Sequence, residues 1–251
     1  MKFFDANAAF GPVRIPAPGI GTGVRTLLEQ MDRFGIETAL AYHSLSREYD
    51  PDTGNDALLE VCAQNRRILP VFTLLAPASG ETAKLDMLLS RLSRSGVRAV
   101  TMFPASGYHN FSLRRWSVGP LLDALGETHV PLLIGLDQFG GNLEALGDFA
   151  LSYPTLTVIA TGINFRSDRM LYPLMEHTEN LYAETSAYKP YRGIAEFCAR
   201  FGAERLVFGS GMLSTDPASS VALITYAEIS DADKEKIAHE NLERLLSKVT
   251  L

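Results

Sequence analysis

Short runs rich in Val, Ile, Leu and Phe alternate along this chain with longer segments whose apolar residues recur at helical spacing. Eight of the short runs read as strands: Lys2–Ala9, Thr38–Leu45, Leu69–Leu75, Val97–Phe103, Pro131–Asp137, Leu156–Ile163, Leu181–Ser186 and Arg205–Met212. The periodicity between them predicts helices over Val24–Phe34, Asp56–Asn65, Thr82–Arg94, Val118–Glu127, Leu143–Ser152, Asp168–Glu176, Tyr191–Phe201 and Ala218–Tyr226. A last helix is predicted over Asp231–Leu246. Ser230 or Asp231 can cap it, with Asp233 in its positively polarised first turn. Gly35, Gly96 and Gly202 follow predicted helices, where a left-handed stop is wanted.

Strands separated by helices must pair in parallel through right-handed crossovers. Eight such units predict an α/β fold, a closed (β/α)8 TIM barrel forming a single domain over residues 1–251. An open doubly wound sheet would want a glycine-rich phosphate loop directly after a strand. The nearest candidate, Gly19-Ile20-Gly21-Thr22-Gly23, comes well after the first strand and reads as a flexible loop.

Composition narrows the partners. The formal net charge is −6, so a basic nucleic-acid footprint is absent. No apolar run is long enough for a membrane span, and Met1–Gly11 has no signal-peptide pattern. The expectation is a soluble cytoplasmic protein whose partner is a small molecule; homo-oligomer formation is left open. The two cysteines, Cys62 and Cys198, lie far apart in helical segments and read as buried free thiols.

A barrel of this kind carries its chemistry at the C-terminal ends of its strands. Alternation along each strand then selects the side chains that point into the mouth. The set is Asp5, Asn7 and Ala9 on the first strand, His43 on the second, Thr101 and Phe103 on the fourth. It continues with Leu133, Gly135 and Asp137 on the fifth, Thr161 on the sixth, Glu184 and Ser186 on the seventh, and Gly209 and Gly211 on the eighth. Arg47 and Arg166 follow the second and sixth strands, where a guanidinium can clamp a carboxylate. Tyr108, Phe111 and Trp116 sit in the loop after the fourth strand, as a lid or as packing beneath it.

These residues carry a resemblance. Phe3-Phe4-Asp5-Ala6-Asn7-Ala8-Ala9 resembles the first strand of the amidohydrolase-related family, which has a His-x-His pair after its aspartate. Gly96–Pro104, Val130–Gly135, Val158–Gly162, Asn180–Ser186 and Arg205–Ser210 are similar to its fourth to eighth strands. Glu240–Leu246 resembles its closing helix, which often reads Asn-x-x-Arg-Leu-Leu. The resemblance implies a metal-dependent hydrolase, yet the expected ligands are replaced. Asn7 and Ala9 stand for the histidine pair, Thr101 or Phe103 for a lysine or histidine, Gly135 and Thr161 for two further histidines, and Gly211 for the eighth-strand aspartate. Asparagine, threonine, alanine and glycine do not supply a zinc field.

The sequence therefore points to a metal-independent hydrolase or lyase, with no cofactor, acting on a small anionic ester or lactone. His43, Asp137 and Asp5 are the candidate acid–base groups, and His43 titrates near neutral pH. Asn7, Thr161, Asn164, Arg166 and Glu184 are candidates for holding the substrate, and a buried Glu184 would carry a raised pKa. One alternative is a non-catalytic small-molecule-binding protein that has lost the metal site. A minor one is a metal hydrolase with a displaced site built from His43, His109, Asp137 or Glu184.

Overall fold

In the computed structural model, which describes residues 1–251 apart from 16–18, 20, 78–79 and 213, each apolar run pairs in parallel with the next. The strands are β1 (Phe3–Phe10), β2 (Ile36–His43), β3 (Ile68–Thr73), β4 (Ala99–Thr101), β5 (Leu132–Gly135), β6 (Val158–Thr161), β7 (Leu181–Glu184) and β8 (Leu206–Val207). Their spatial order is the sequence order, as right-handed β–α–β units require. The ring closes where β1 meets the segment after Val207. The Ala6 N–H donates to the Phe208 carbonyl at 2.9 Å, Gly211 to Asn7 at 3.0 Å and Ala9 to Met212 at 2.7 Å. The eighth run thus follows β1 out to Met212, although its regular pairing with β7 ends at Val207. The result is a nearly closed (β/α)8 TIM barrel.

The helices are α1 (Val24–Phe34), α2 (Leu45–Glu48), α3 (Pro51–Gln64), α4 (Leu85–Arg94), α5 (Arg115–Glu127), α6 (Leu143–Ser152), α7 (Asp168–His177), α8 (Gly193–Phe201), α9 (Pro217–Thr225), α10 (Asp231–Glu235) and α11 (Asn241–Ser247). Gly35 closes α1 in the left-handed conformation (φ 68°), and the Ser230 hydroxyl accepts from the Asp233 N–H at the start of α10. Helix α3 begins five residues before the expected Asp56. Asp50 caps it by accepting from the Thr53 N–H at 2.7 Å, and Pro51 occupies the first turn, where its missing N–H costs nothing. The Gly19–Gly23 loop precedes α1, and its Ile20 lies outside the described residues. Among the described residues no helix is long and apolar enough to cross a membrane.

Two apolar layers hold the fold. One lies between strands and helices; the other fills the barrel with Phe4, Ala6, Leu40, Val71, Ala99, Leu133, Ile159 and Val207. Leu242, Leu245 and Leu246 of α11 join the inner layer, so the last helix plugs the end opposite the mouth. The chain enters α11 through one wide helical turn, Lys236–Glu240, and the Ile237 carbonyl in that turn accepts from the Phe208 N–H at 2.9 Å. The Asn241 amide donates to the carbonyls of Ala203 and Leu206, both at 2.8 Å. The Asn-x-x-Arg-Leu-Leu pattern is therefore explained by packing: the asparagine pins the plug to the start of β8, and the leucines fill the barrel.

Strand β1 contains an irregularity that decides what faces the mouth. Asp5 pairs with Ala39 but Ala8 with Ala41, so β1 carries one extra residue. Such a bulge resets the alternation. Phe4 and Ala6 face inward before it; Asn7 and Ala9 line the mouth after it; Ala8 and Phe10 pack in the outer layer.

Candidate active site

The mouth of the barrel holds a cavity of about 260 Å³. Every position at which the resemblance expects a metal ligand lies on its wall: Asn7 and Ala9, Thr101 and Phe103, Gly135, Thr161 and Gly211. Tyr42, Arg47, Asp137, Ser186, Ser214 and Thr215 add to its polar lining.

Arg47 belongs to α2, a single helical turn directly after β2. Its Nη1 donates to Tyr42 Oη at 3.0 Å, and its Nε and Nη2 donate to Glu48 Oε1 at 2.9 and 2.7 Å. The guanidinium also lies 5.8, 5.8 and 5.4 Å from the ring centres of Tyr42, Phe103 and Tyr108. Burial opposes its charge, but Tyr42 and Glu48 outweigh that and raise its pKa. The cation is thus permanent and held from two sides. Burial pushes the Tyr42 phenol up to about 12, with Arg47 opposing and Asp137 among the groups reinforcing the shift. Tyr42 stays protonated, and because its oxygen already accepts from Arg47, its own proton is left to donate.

Asp137 stands in the turn Leu136–Phe139 that follows β5. Its Oδ2 accepts from Gln138 Nε2 at 2.8 Å, while Gln138 Oε1 accepts from the Ala105 N–H at 3.1 Å. The carboxylate folds back over Gly135, and a Cβ at that position would run into Asp137 Oδ1. Glycine at the fifth-strand position and aspartate two residues later are therefore one arrangement: a histidine at 135 would take the space the carboxylate occupies.

Glu184 is fully buried beneath the wall. Its Oε2 accepts from Asn7 Nδ2 at 2.9 Å and from Ser186 Oγ at 2.7 Å, and its Oε1 accepts from the Ser186 N–H. Burial raises its pKa to about 7; Ser186 pulls the other way and the nearby Asp5 charge adds to the rise. Asn7 and Ser186 face the cavity and cover this carboxyl, so Glu184 supports the wall and does not form it.

Several of the other expected site residues are placed elsewhere. Asp5 sits on the outer side of the β1 bulge and staples the barrel seam. It accepts from the N–H groups of Asn7 and Ser210, both at 2.9 Å, and from the Ser210 hydroxyl. Burial raises its pKa against those bonds. His43 is off the cavity wall because the inward residue of β2 is Tyr42. The imidazole packs edge-on against Phe10 at 5.1 Å, its Nδ1 accepts from the Leu45 N–H at 3.3 Å, and burial lowers its pKa. Thr161 lines the cavity. Asn164 and Arg166 line a separate cleft, and His109 packs against Phe103 at 6.1 Å, away from the cavity lining. A larger cleft, about 450 Å³ between Phe111, Trp116 and α6, lies outside the mouth. Strand alternation does not pick out Tyr42 or Gln138; Arg47, expected only to follow the second strand, is fixed at the wall by its short helix. Both cysteines are free, and burial pushes their thiols up to about 11 and about 12.

The donor set does not fit the family's catalytic metal. Among the described residues Asp137 is the only carboxylate on the cavity wall, and none of those residues brings an imidazole or thiol to it. Among the described residues no three His, Cys, Asp or Glu side chains gather as a metal site.

The comparison that decides the lineage is the amidohydrolase family model, which matches residues 29–248. The chain belongs to the amidohydrolase family. No curated protein matches it. Among solved structures, this amidohydrolase chain is similar to 2,6-dihydroxybenzoate decarboxylase from Rhizobium, with a TM-score of 0.75, 17% identity and 98% of each chain covered. An uncharacterized TIM-barrel protein from Bordetella bronchiseptica gives 0.74 and 18%, with 99% of each chain covered. A candidate 2-pyrone-4,6-dicarboxylic acid hydrolase from Pseudomonas putida gives 0.69 and 17%, covering 100% of this chain and 99% of that one. At these identities the likeness is one of fold.

Proposed function

We propose that this amidohydrolase-family barrel hydrolyses a small cyclic ester that carries a carboxylate, using its own side chains and no resident metal. The observation that supports this reading is the pairing, on one small cavity, of the aromatic-held Arg47 cation with the exposed Asp137 carboxylate. Arg47 pairs with the carboxylate of the substrate, because a guanidinium offers two parallel donors to it. Asp137 takes a proton from water as the water oxygen adds to the acyl carbon. Tyr42 donates its hydrogen bond to the acyl oxygen as charge develops there. The ring C–O bond then breaks, and the proton held by Asp137 passes to the departing oxygen. Phe103, Leu133 and Val71 form apolar wall against which a flat ring can lie. The named ring acids of the Rhizobium and Pseudomonas structures have the same general shape.

The test is steady-state hydrolysis of carboxylated pyrones and lactones by protein of measured metal content. The expected result is turnover indifferent to chelator and to added zinc or manganese. Asp137→Asn should lower kcat by about 100-fold or more, as loss of a general base does. Arg47→Gln should raise KM. Ring acids that bind saturably without any turnover would instead support the non-catalytic binding protein, which the small residues Ala9, Gly135 and Gly211 on the wall also suit.

A further inference from the structure

A second cleft, of about 420 Å³, opens beside the mouth at the start of α6 and α7. The turn after β5 is the partition: Asp137 lines the barrel cavity and Leu136 the outer cleft. Arg166 is the only charged side chain lining this cleft among the described residues. It is exposed and has no carboxylate partner among them; its guanidinium lies 5.3 Å from the Phe165 ring. Ser167 also lines the cleft. It is only 6% exposed, yet its hydroxyl gives α7 no cap and has no hydrogen-bond partner among the described residues.

The backbone adds donors. The N–H groups of Arg166 and Ser167 are taken by Asn164, through Oδ1 at 2.9 Å and through its carbonyl at 3.1 Å. Those of Asp168 and Arg169, the first two residues of the ten-residue α7, have no acceptor among the described residues. The nearest acid is turned away: Asp168 Oδ1 accepts from the Tyr188 hydroxyl at 2.8 Å. A guanidinium, the free hydroxyl of a largely buried serine and a helix start thus meet at one opening that no carboxylate side chain lines among the described residues.

We propose that this cleft binds a phosphate group. A phosphate is a near-dianion at neutral pH with several strong acceptor oxygens, and it can engage a guanidinium fork, a hydroxyl and backbone N–H groups together. The site is separate from the ester chemistry of the mouth and does not rest on it.

Calorimetric titration of the whole chain with inorganic phosphate, in low-salt buffer near pH 7.5, tests this. One saturable site is expected. Arg166→Gln should weaken it about tenfold, Ser167→Ala by less, and Arg47→Gln not at all. The same phosphate should raise the melting temperature of the parent chain by more than that of Arg166→Gln, and a cooperative melt of the variant shows that it is folded. A parallel titration with phenyl phosphate separates the sources: tighter binding than phosphate means the group is carried by an organic ligand, equal binding means the free anion. Absence of saturable heat up to phosphate on the order of tens of millimolar overturns the proposal. So does binding that survives Arg166→Gln and vanishes in Arg47→Gln.

Discussion

The two ends of this barrel treat their polar groups differently. At the N-terminal end several are answered by the backbone from within. Asn180 donates to the carbonyls of Ala150, Tyr153 and Leu156 at 3.1, 2.9 and 2.8 Å, Arg205 Nε donates to Leu181 at 2.7 Å, and Asn241 ties the plug helix to β8. At the C-terminal end the polar side chains are fixed on one side and open on the other: Arg47 leans on rings and Glu48, and Asp137 on Gln138. Amides pinned to backbone and leucines packed without gaps serve stability. A cation and a carboxylate open to the cavity are what the proposed ester chemistry would use. The difference follows the barrel's general division between a closed base and a chemical rim.

That division can be broken most sharply at the plug. Leu242→Ala removes a side chain that is 1% exposed inside the barrel, and should cost roughly 2–5 kcal/mol in denaturant unfolding. Activity per folded molecule should be unchanged; a proportionate loss of activity would show that the two ends are mechanically coupled.

The next effect in size concerns Glu184, which lies between the ends. Its pKa of about 7 exceeds the ordinary 4.5, so the folded chain holds a proton the unfolded chain releases. Its contribution is full below about pH 4.5 and is lost as pH rises to about 7, at roughly 1.4 kcal/mol per pH unit. His43 works in the opposite sense, because a lowered pKa costs stability as pH falls below its ordinary value. Comparing unfolding of the parent with Glu184→Gln across this range isolates the carboxyl. The variant should lose the downward slope; an unchanged slope would place the titration on another group.

Asn241→Ala leaves the Ala203 and Leu206 carbonyls without their donor, and should cost about 1–3 kcal/mol. Last come the mouth variants Arg47→Gln and Asp137→Asn. Their unfolding free energies should change by less than about 1 kcal/mol, while KM rises in the first and kcat falls in the second. A large loss of stability in either would mean that the rim also holds the fold.

Much of the scaffold was legible in the chain, because parallel strands and amphipathic helices leave different periods. Val24–Phe34 and Leu143–Ser152 have the same bounds in the sequence reading and in the structure. The site was less legible, for reasons of alternation. Strands buried on both faces do not announce which residue faces inward: Leu40 and Ala41 are both fully covered, so nothing in Leu-Ala-Tyr-His tells that Tyr42 and not His43 reaches the mouth. In β1 the extra residue between Asp5 and Ala8 splits the expected trio, leaving Asn7 and Ala9 inside and Asp5 in the seam. Arg47 could be recognised only once the turn Leu45–Glu48 was known to be helical. The early start of α3 was available in Asp50-Pro51, a cap followed by a first-turn proline.

The plug also bears on how the molecule comes into being. Phe4 and Ala6 are made among the first residues of the inner layer, and Leu242, Leu245 and Leu246 are made last. Until those leucines dock, the inner layer is without one of its walls. Pairing across such a sequence separation is slow, and apolar surface that waits for a partner is exposed to aggregation meanwhile. Synthesis from the N-terminus therefore leaves the base of this barrel unsealed until the α11 leucines emerge and dock.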